Sequence, residues 1–301
     1  DACGASTPGA TDAAGAAAGG AVASGRGLPG RGVDAAAQGA WGAAQRPAAA
    51  AEPPGDSRRQ VACEDALVWL ARPGAVPKGA LVFTSLPDVC EVQDFAPTLE
   101  AWRRWFLDAV RAVLGALPPG GVVVFYQTDI RRPGEGQVSK AHLVLRAAAE
   151  FGEEVVLWWH KIVHFGSVDS PAFSAVQFTH LLCFGRSPAA GGTVDSGTAI
   201  PDVLARGPKP SGLRKSARCM GASAVLAVLK WASRQLPGVD TVVDPFCGAG
   251  TVLAVGNELG FRAVGVDLSA RRVKQAGQLD GARLMASIHE GQRGRGRRGA
   301  R

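Results

Sequence analysis

Paired cysteines are missing from this sequence. Its six cysteines, at positions 3, 63, 90, 183, 219 and 247, are scattered over 301 residues, and none forms a Cys-x-x-Cys pair or stands beside a paired histidine spacing. Structural zinc sites and disulfide frameworks both require such spacings. The cysteine pattern therefore indicates neither a metal site nor a disulfide scaffold, and it favours a reducing, intracellular compartment.

Long hydrophobic runs are also missing. No apolar stretch approaches the roughly 20 residues that a membrane-spanning helix needs, because Arg, Asp or Gly interrupts each stretch at short intervals. At 47% hydrophobic and 20% charged residues, the composition is typical of a globular protein with a sizeable core. We therefore expect no membrane-spanning segment.

Large apolar side chains are scarce in the first part of the chain. Residues 1–58 are dominated by Ala, Gly and Pro, which bury too little surface to offset the entropy lost on folding. We interpret 1–58 as a disordered N-terminal segment. Its Ala- and Arg-rich composition also leaves a plastid or mitochondrial transit peptide open, although the acidic residues Asp12, Asp34 and Glu52 argue against one.

Positive charge is concentrated at the other end of the chain. The net charge is +7, and arginines at positions 293, 295, 297, 298 and 301 supply most of it. We interpret 285–301 as a basic Gly/Arg-rich tail. Such a tail can neutralise nucleic-acid phosphates without sequence preference, or it can be a solvated end without a partner, and both interpretations stay open.

Between these two segments, residues 59–284 alternate short apolar runs with helical periodicity. This pattern predicts an α/β domain with a doubly wound, mostly parallel sheet. The predicted strands are 60–63, 80–84, 122–127, 155–162, 177–184, 241–243 and 263–266, seven in all. The predicted helices are 98–117, 139–151, 222–236, 251–259 and 270–288.

A glycine-rich turn follows one of these strands. Residues 241–251 read Thr-Val-Val-Asp-Pro-Phe-Cys-Gly-Ala-Gly-Thr, a β-branched strand running into a turn that opens a helix. Gly248 and Gly250 would let the backbone approach a ligand, and Asp267, at the end of the next strand, could accept hydrogen bonds from a ribose diol. A dinucleotide site is disfavoured because its third glycine would fall at Leu253.

The sequence Asp-Pro-Phe-Cys-Gly-x-Gly-Thr, followed by Gly-Val-Asp at 265–267, closely resembles the cofactor motifs of the DNA amino-methyltransferases. The resemblance implies a class I methyltransferase with a Rossmann-like sheet of seven strands, one of them antiparallel. It also implies S-adenosyl-L-methionine as cofactor and a direct displacement that requires no metal ion. The implied cofactor-binding residues here are Asp244, Phe246, Gly248, Gly250, Thr251 and Asp267.

A second pair of motifs resembles the catalytic half of the same family, in the circularly permuted class where this half comes first. Glu-Asp-Ala-Leu at 64–67 and Thr-Ser-Leu-Pro-Asp at 84–88 are similar to the family's Gly-Asp-Ala-Leu and Thr-Ser-Pro-Pro-Tyr. The resemblance implies that Asp65 contacts the amine of the cofactor's adenine. Ser-Leu-Pro-Asp and Phe-Tyr-Gln-Thr-Asp-Ile also resemble uncharacterised plant and algal proteins.

The resemblance assigns catalysis to Ser85, Leu86, Pro87 and Asp88. The Ser85 side chain and the Leu86 carbonyl would hold the two hydrogens of an acceptor amine and direct its lone pair at the methyl group, while Pro87 restrains the turn. Asp88 departs from the family, whose aromatic residue at this position stacks on the acceptor base. A carboxylate could instead accept a proton or orient a nucleophile.

Four further residues are candidates for substrate contact. Tyr126, the only tyrosine, could replace the missing stacking ring or pack in the core. Asp129 could act with Asp88 as a second carboxylate or cap a loop. His160 and Lys161 belong to a strand that resembles the family's Trp-x-Lys strand, but Lys161, at the end of the strand, could also simply be solvated.

The interval between the predicted strand 177–184 and the glycine turn constrains the identity of the methyl acceptor. Sequence-specific DNA methyltransferases of this class carry a target-recognition segment in this interval, and residues 185–240 leave no room for one. We therefore expect N-methylation of an exocyclic nucleobase amine, with RNA preferred to DNA. A fold that binds the cofactor without transferring a methyl group, and a protein or small-molecule methyltransferase, are the alternatives. No pattern indicates an oligomeric state.

Overall fold

The structure, a computed structural model, describes residues 58–132, 136–165, 176–187, 200–210 and 219–298. The segment predicted to be disordered, apart from its last residue, and the final residues of the predicted tail lie outside this range. Strands are β1 (Arg59–Cys63), β2 (Ala80–Thr84), β3 (Val122–Gln127), β4 (Ile130–Arg132), β5 (Gly136–Val138), β6 (Val155–His164), β7 (Phe178–Arg186), β8 (Val203–Ala205), β9 (Thr241–Asp244) and β10 (Arg262–Asp267).

Seven α-helices lie in the described part of the chain. They are α1 (Ala66–Leu70), α2 (Leu99–Ala116), α3 (Lys140–Ala149), α4 (Ala222–Gln235), α5 (Thr251–Glu258), α6 (Ala270–Gln278) and α7 (Gly281–Arg298), with short 3-10 turns at Val89–Glu91 and Gly152–Glu154. None of the helices described is long and apolar enough to cross a membrane.

The main sheet has the strand order β1-β10-β9-β2-β3-β7-β6-β8. Every pairing is parallel except those of β7 with β3 and with β6. The mostly parallel sheet with one antiparallel strand is therefore confirmed. The strand β2, which precedes the predicted catalytic residues, comes before β9, which precedes the predicted cofactor turn. Circular permutation relative to the family stays a prediction.

The predicted number of strands was wrong. The main sheet has eight strands rather than seven, because β8 pairs parallel to β6 from Ile162↔Val203 to His164↔Ala205. In addition, β4 and β5 form a separate two-stranded sheet. Each of these three strands is only three residues long, too short to show a periodic pattern in the sequence.

The predicted helix at 270–288 was also wrong, because it is two helices. Helix α6 ends at Gln278, and Asp280 Oδ1 then accepts the backbone N–H of Arg283 at 2.9 Å, which caps the start of α7. Helix α7 continues to Arg298, into the segment that we interpreted as a basic tail.

The core has two layers, one on each face of the sheet. Leu81, Phe83 and Val242 pack with residues of α4 and α5 on one face, while Val82 and Val243 pack with residues of α2 and α3 on the other. Successive side chains of a strand point to opposite faces, so strands covered on both sides are apolar throughout. This burial explains why the central strands could be read from the sequence.

The carboxyl ends of the parallel strands meet at one edge of the sheet. The segments that follow β1, β10, β9, β2 and β3 all begin there, because these strands are parallel. Ligands of open α/β sheets bind at this edge. The fold thus gathers residues from both ends of the domain along one rim.

Candidate active site

A cleft of about 790 Å³ lies along this edge. Eleven of the predicted site residues line it: Asp65, Ser85, Leu86, Pro87, Asp88, Tyr126, Asp129, Phe246, Gly248, Thr251 and Asp267. The other four, Asp244, Gly250, His160 and Lys161, are not part of its lining. The two motif regions, about 160 residues apart in the sequence, therefore share one cleft.

The glycine turn and the end of β10 are joined by hydrogen bonds to Asp267. Its Oδ2 accepts the N–H of Gly248 at 3.0 Å, and its Oδ1 accepts the N–H of Ser269 at 2.8 Å. Gly248 has φ +53°, and a Cβ added there would meet no atom within 4 Å. The space beside Gly248 is therefore open, as the approach of a ligand requires.

Gly250 has a different role from the one expected. With φ +81°, it precedes α5, and an added Cβ would lie 2.7 Å from the Cα of Ala276 in α6. The expectation that both glycines let the backbone approach a ligand therefore holds in geometry for Gly248 alone. Gly250 instead allows α6 to pack against the start of α5.

Asp244 lies beneath the turn, fully buried. Its Oδ1 accepts the Thr84 hydroxyl at 2.7 Å and the Phe246 N–H at 3.2 Å. Burial raises the pKa of Asp244 to about 7, despite these two hydrogen bonds. Asp244 thus ties the cofactor turn to the end of β2, so its position is structural, outside the cleft lining.

Replacing Asp244 by Asn should change how stability depends on pH. Because the folded pKa of about 7 lies above the ordinary aspartate value of 3.8, the folded state holds the proton more tightly, and stability from this group is lost as pH rises from about 4 through 7. Asn cannot ionise. As pH rises from 4.5 to 8, we expect the unfolding free energy of D244N to increase by roughly 2–4 kcal/mol relative to that of wild type. Urea unfolding at a series of pH values measures this difference. Parallel stability curves would contradict this.

Aromatic rings form one wall of the cleft near the glycine turn. Phe95 and Trp105 have ring centroids 5.7 Å apart, and Trp105 and Phe246 have centroids 6.1 Å apart, both edge-to-face. All three line the cleft, as does Asp65, whose Oδ1 accepts the N–H of Leu67 at 2.7 Å and so caps α1. Phe95 and Trp105 were not predicted as site residues.

The turn at residues 85–88, the predicted catalytic turn, is held in place by three contacts. Lys140 Nζ donates to the Leu86 carbonyl at 3.4 Å, and Trp102 Nε1 donates to the Pro87 carbonyl at 3.2 Å. The N–H of Asp88 donates to Glu91 Oε2 at 3.0 Å. The Leu86 side chain is itself buried in the core. These contacts therefore fix the backbone of the turn.

Lys140 is the main site residue that sequence reasoning missed. It is the first residue of α3, its side chain is only 3% exposed, and it forms an ion pair with Asp88. Its Nζ also lies 5.8 Å and 5.7 Å from the ring centroids of Trp102 and Phe106. Burial lowers the pKa of Lys140 to about 8, against the opposing effect of nearby Glu91.

Asp129 both lines the cleft and caps a helix. Its Oδ1 accepts the backbone N–H of Lys140 at 2.8 Å, and its Oδ2 accepts Gln137 Nε2 at 2.9 Å. His180 Nε2 lies 3.4 Å from the same Oδ2. Burial alone would raise the pKa of Asp129, but the hydrogen bonds from His180 and Gln137 outweigh it and lower that pKa. Asp129 is therefore ionised and already engaged.

The two strand residues proposed for substrate contact lie away from the cleft lining. Lys161 is buried, and its Nζ donates to Asp202 at 2.6 Å. His160 Nε2 lies 2.9 Å from His180 Nδ1, and His180 in turn contacts Asp129. His160 is therefore linked to Asp129 through His180. Burial and the adjacent His180 ring lower the pKa of His160.

Tyr126 offers little surface for stacking. The residue is 4% exposed and packs in the core, and the N–H of Gly221 donates to its hydroxyl at 3.5 Å. Burial raises the pKa of this hydroxyl to about 12. Its ring therefore behaves as the core alternative predicted, although the residue borders the cleft.

No protein-family model and no curated protein matches this chain. Among solved structures, it is similar to TTHA0409 of Thermus thermophilus, whose name places it among candidate DNA modification methylases (18% identity, 76% of this chain and 95% of that one, TM-score 0.51). It is also similar to the PvuII DNA methyltransferase, named as cytosine-N4-specific (15% identity, 77% and 92%, TM-score 0.55). The chain therefore has the α/β fold of these methyltransferases, as its motifs predicted.

Proposed function

We propose that this chain is an S-adenosyl-L-methionine-dependent methyltransferase that N-methylates an exocyclic amine of a nucleobase. One observation carries the proposal: the open space at Gly248 and Asp267 and the catalytic turn at Ser85 and Leu86 line the same cleft. A methyl donor and an acceptor amine held at these two places would lie next to each other, as a direct displacement requires.

The residues present fit the cofactor. The Asp267 carboxylate can accept hydrogen bonds from a ribose diol, since its two oxygens offer more acceptor sites than Gly248 and Ser269 use. Phe246 and Trp105 provide aromatic surface for an adenine, and Asp65 provides an acceptor for its amine. When bound, the cofactor supplies an electrophilic methyl group on a sulfonium leaving group.

The acceptor amine would be held by the turn after β2. The Ser85 side chain and the Leu86 carbonyl offer two acceptors for the two amine hydrogens, which turns the nitrogen lone pair toward the methyl donor. This orientation matters because the lone pair of an aromatic amine is delocalised into its ring.

A nucleic-acid substrate is supported by cations in the cleft lining. Arg131, Arg206 and Lys209 are among the residues that line the cleft, and cations of this kind attract phosphates. The Arg206 guanidinium lies 4.6 Å from the Phe165 ring centroid, and nucleobases stack on both kinds of plane. The preference for RNA over DNA rests on the short interval at 185–240.

The test is transfer of radiolabelled methyl groups from the cofactor to total RNA, DNA and protein, followed by mass spectrometry of the modified nucleosides. We expect an N-methylated nucleoside, with more label in RNA than in DNA. Label in protein alone would overturn the nucleobase assignment. Cofactor binding without label in any pool would overturn the transferase assignment.

A second candidate is a module that binds the cofactor but transfers no methyl group. One observation favours it: Lys140 Nζ donates to the Leu86 carbonyl and so uses hydrogen-bonding capacity that we propose for the substrate amine. Asp88→Ala and Asp88→Tyr separate the two candidates. If both variants keep cellular function while Asp267→Ala abolishes it, cofactor binding rather than transfer is the function.

A further inference from the structure

The catalytic turn departs from the family motif at two positions, and one buried side chain contacts both. Leu86 stands where the motif has its first proline, and Asp88 stands where it has an aromatic residue. Lys140 Nζ contacts the Leu86 carbonyl at 3.4 Å and forms an ion pair with Asp88. A single cation from α3 therefore bridges the two altered positions.

The surroundings of Lys140 are those of a charged ammonium group. Asp88 and the Leu86 carbonyl accept from it, and the rings of Trp102 and Phe106 lie within 6 Å of its nitrogen. An aromatic face attracts a cation at this distance. A buried charge without a compensating partner is very costly. Removing Lys140 would therefore leave Asp88 as a largely buried carboxylate without its counter-charge.

The contact leaves the Leu86 carbonyl able to serve an acceptor amine. A carbonyl oxygen has two lone pairs, so one can accept from Lys140 while the other stays open to the cleft. Leucine does not restrain the backbone as proline does. Pro87 favours an extended backbone at Leu86, and the contact with Lys140 adds the side-chain hydrogen bond that holds this carbonyl.

We propose that Lys140 is a positioning residue for the methyl transfer: it orients the Leu86 carbonyl and neutralises Asp88, so that the turn offers the amine two acceptors and no net charge. This inference rests on the proposed function and explains why a carboxylate is tolerated at position 88. Repulsion between Asp88 and an anionic substrate is removed by the same contact.

The role of Lys140 has a consequence for pH. Facing it are Asp88, Cys90 and Glu91 from the segment after β2, Asp129 from the segment after β3, and the uncharged Trp102 and Phe106 from α2. Glu91 is in turn paired with Arg272 at 2.9 Å. Above the pKa of Lys140, about 8, Asp88 would lose its counter-charge, so transfer should decline on the alkaline side.

The test is a double-variant cycle of Lys140→Met, Asp88→Asn and the two combined, with Lys140→Arg as the charge-retaining variant. Arg146→Met, an exposed position on the same helix α3, is the matched control. For each protein, kcat and KM for the acceptor, the Kd for the cofactor and the urea unfolding free energy are measured from pH 6 to 10.

In Lys140→Met, we expect kcat to fall by about 10- to 100-fold, the loss that a misplaced reacting group causes, with cofactor Kd unchanged. The combined variant should recover part of this lost kcat, because no unpaired carboxylate remains, but not all of it, because the contact with the Leu86 carbonyl is still missing. In Lys140→Arg, the alkaline decline should move above about pH 9, since arginine keeps its charge.

Two results would overturn the inference. If kcat falls equally in Lys140→Met and in the combined variant, and if the alkaline decline of kcat in Lys140→Arg stays where it is in wild type, the role of Lys140 is in folding. If wild type binds the cofactor but transfers no methyl group, the proposed function itself fails. Coupling between Lys140 and Asp88 that is seen only in the unfolding free energy would then show that this ion pair is structural. If Lys140→Met does not fold, Lys140→Arg and the combined variant still decide.

Discussion

Replacing Asp267 by alanine is expected to weaken S-adenosyl-L-methionine binding by roughly 100-fold or more. The substitution removes the carboxylate proposed to accept from the ribose, and it also releases the N–H groups of Gly248 and Ser269. Two hydrogen bonds to a charged group are together worth about 3 kcal/mol or more, which corresponds to this change in Kd. Isothermal titration calorimetry with the cofactor measures it.

Asp240→Ala is the matched control for this experiment. Asp240 is a carboxylate at the opposite end of β9, exposed and paired with Arg262 at 2.8 Å. It lies outside the cleft lining, so the cofactor Kd should stay at the wild-type value. A Kd for Asp267→Ala within threefold of wild type would mean that Asp267 does not hold the cofactor.

Gly250→Ala is expected to destabilise the fold by about 3 kcal/mol or more. The residue has φ +81°, and its new Cβ would lie 2.7 Å from the Cα of Ala276, a backbone atom that cannot move without shifting α6. The left-handed backbone and the steric overlap both add to the cost. Urea unfolding monitored by circular dichroism measures the loss.

Gly248→Ala separates stability from ligand binding in the same turn. Its φ of +53° is also left-handed, but an added Cβ meets no atom within 4 Å, so the expected stability loss is only about 1–2 kcal/mol. The methyl group would instead project into open space where we propose that the cofactor binds, so cofactor affinity should fall. Equal stability losses in the two variants would contradict the assigned roles.

Strands and helices were predictable where burial leaves a periodic pattern. The central strands are apolar because helices cover both faces, and α2 shows its buried side at Trp102, Phe106 and Val110. The strand β8 could not be found because its three residues, next to Pro201, carry no periodicity. The break between α6 and α7 depends on one aspartate cap, which is too weak a signal within a helical pattern.

The site was predictable where the chain itself brings residues together, as in the glycine turn and the segment after β2. Lys140 was missed because a lysine in the first turn of a helix is usually solvated, and its burial results from α2 and the catalytic turn closing over it. The aromatic wall was missed for a similar reason, since Phe95 and Trp105 meet Phe246 only through tertiary packing. Gly250 was predicted to face the ligand because the sequence shows the glycine but does not show that Ala276 of α6 packs against it.

The position of β1 has a consequence for the order in which the molecule can be completed during synthesis. Its neighbour in the sheet is β10, with Arg59 opposite Ala263, about 200 residues later in the chain. On a ribosome, β1 emerges long before that partner exists, whereas β2 and β3 emerge close together. The part of the cleft where we propose that the cofactor binds is therefore completed last, and a ligand that binds there would favour this final step of folding.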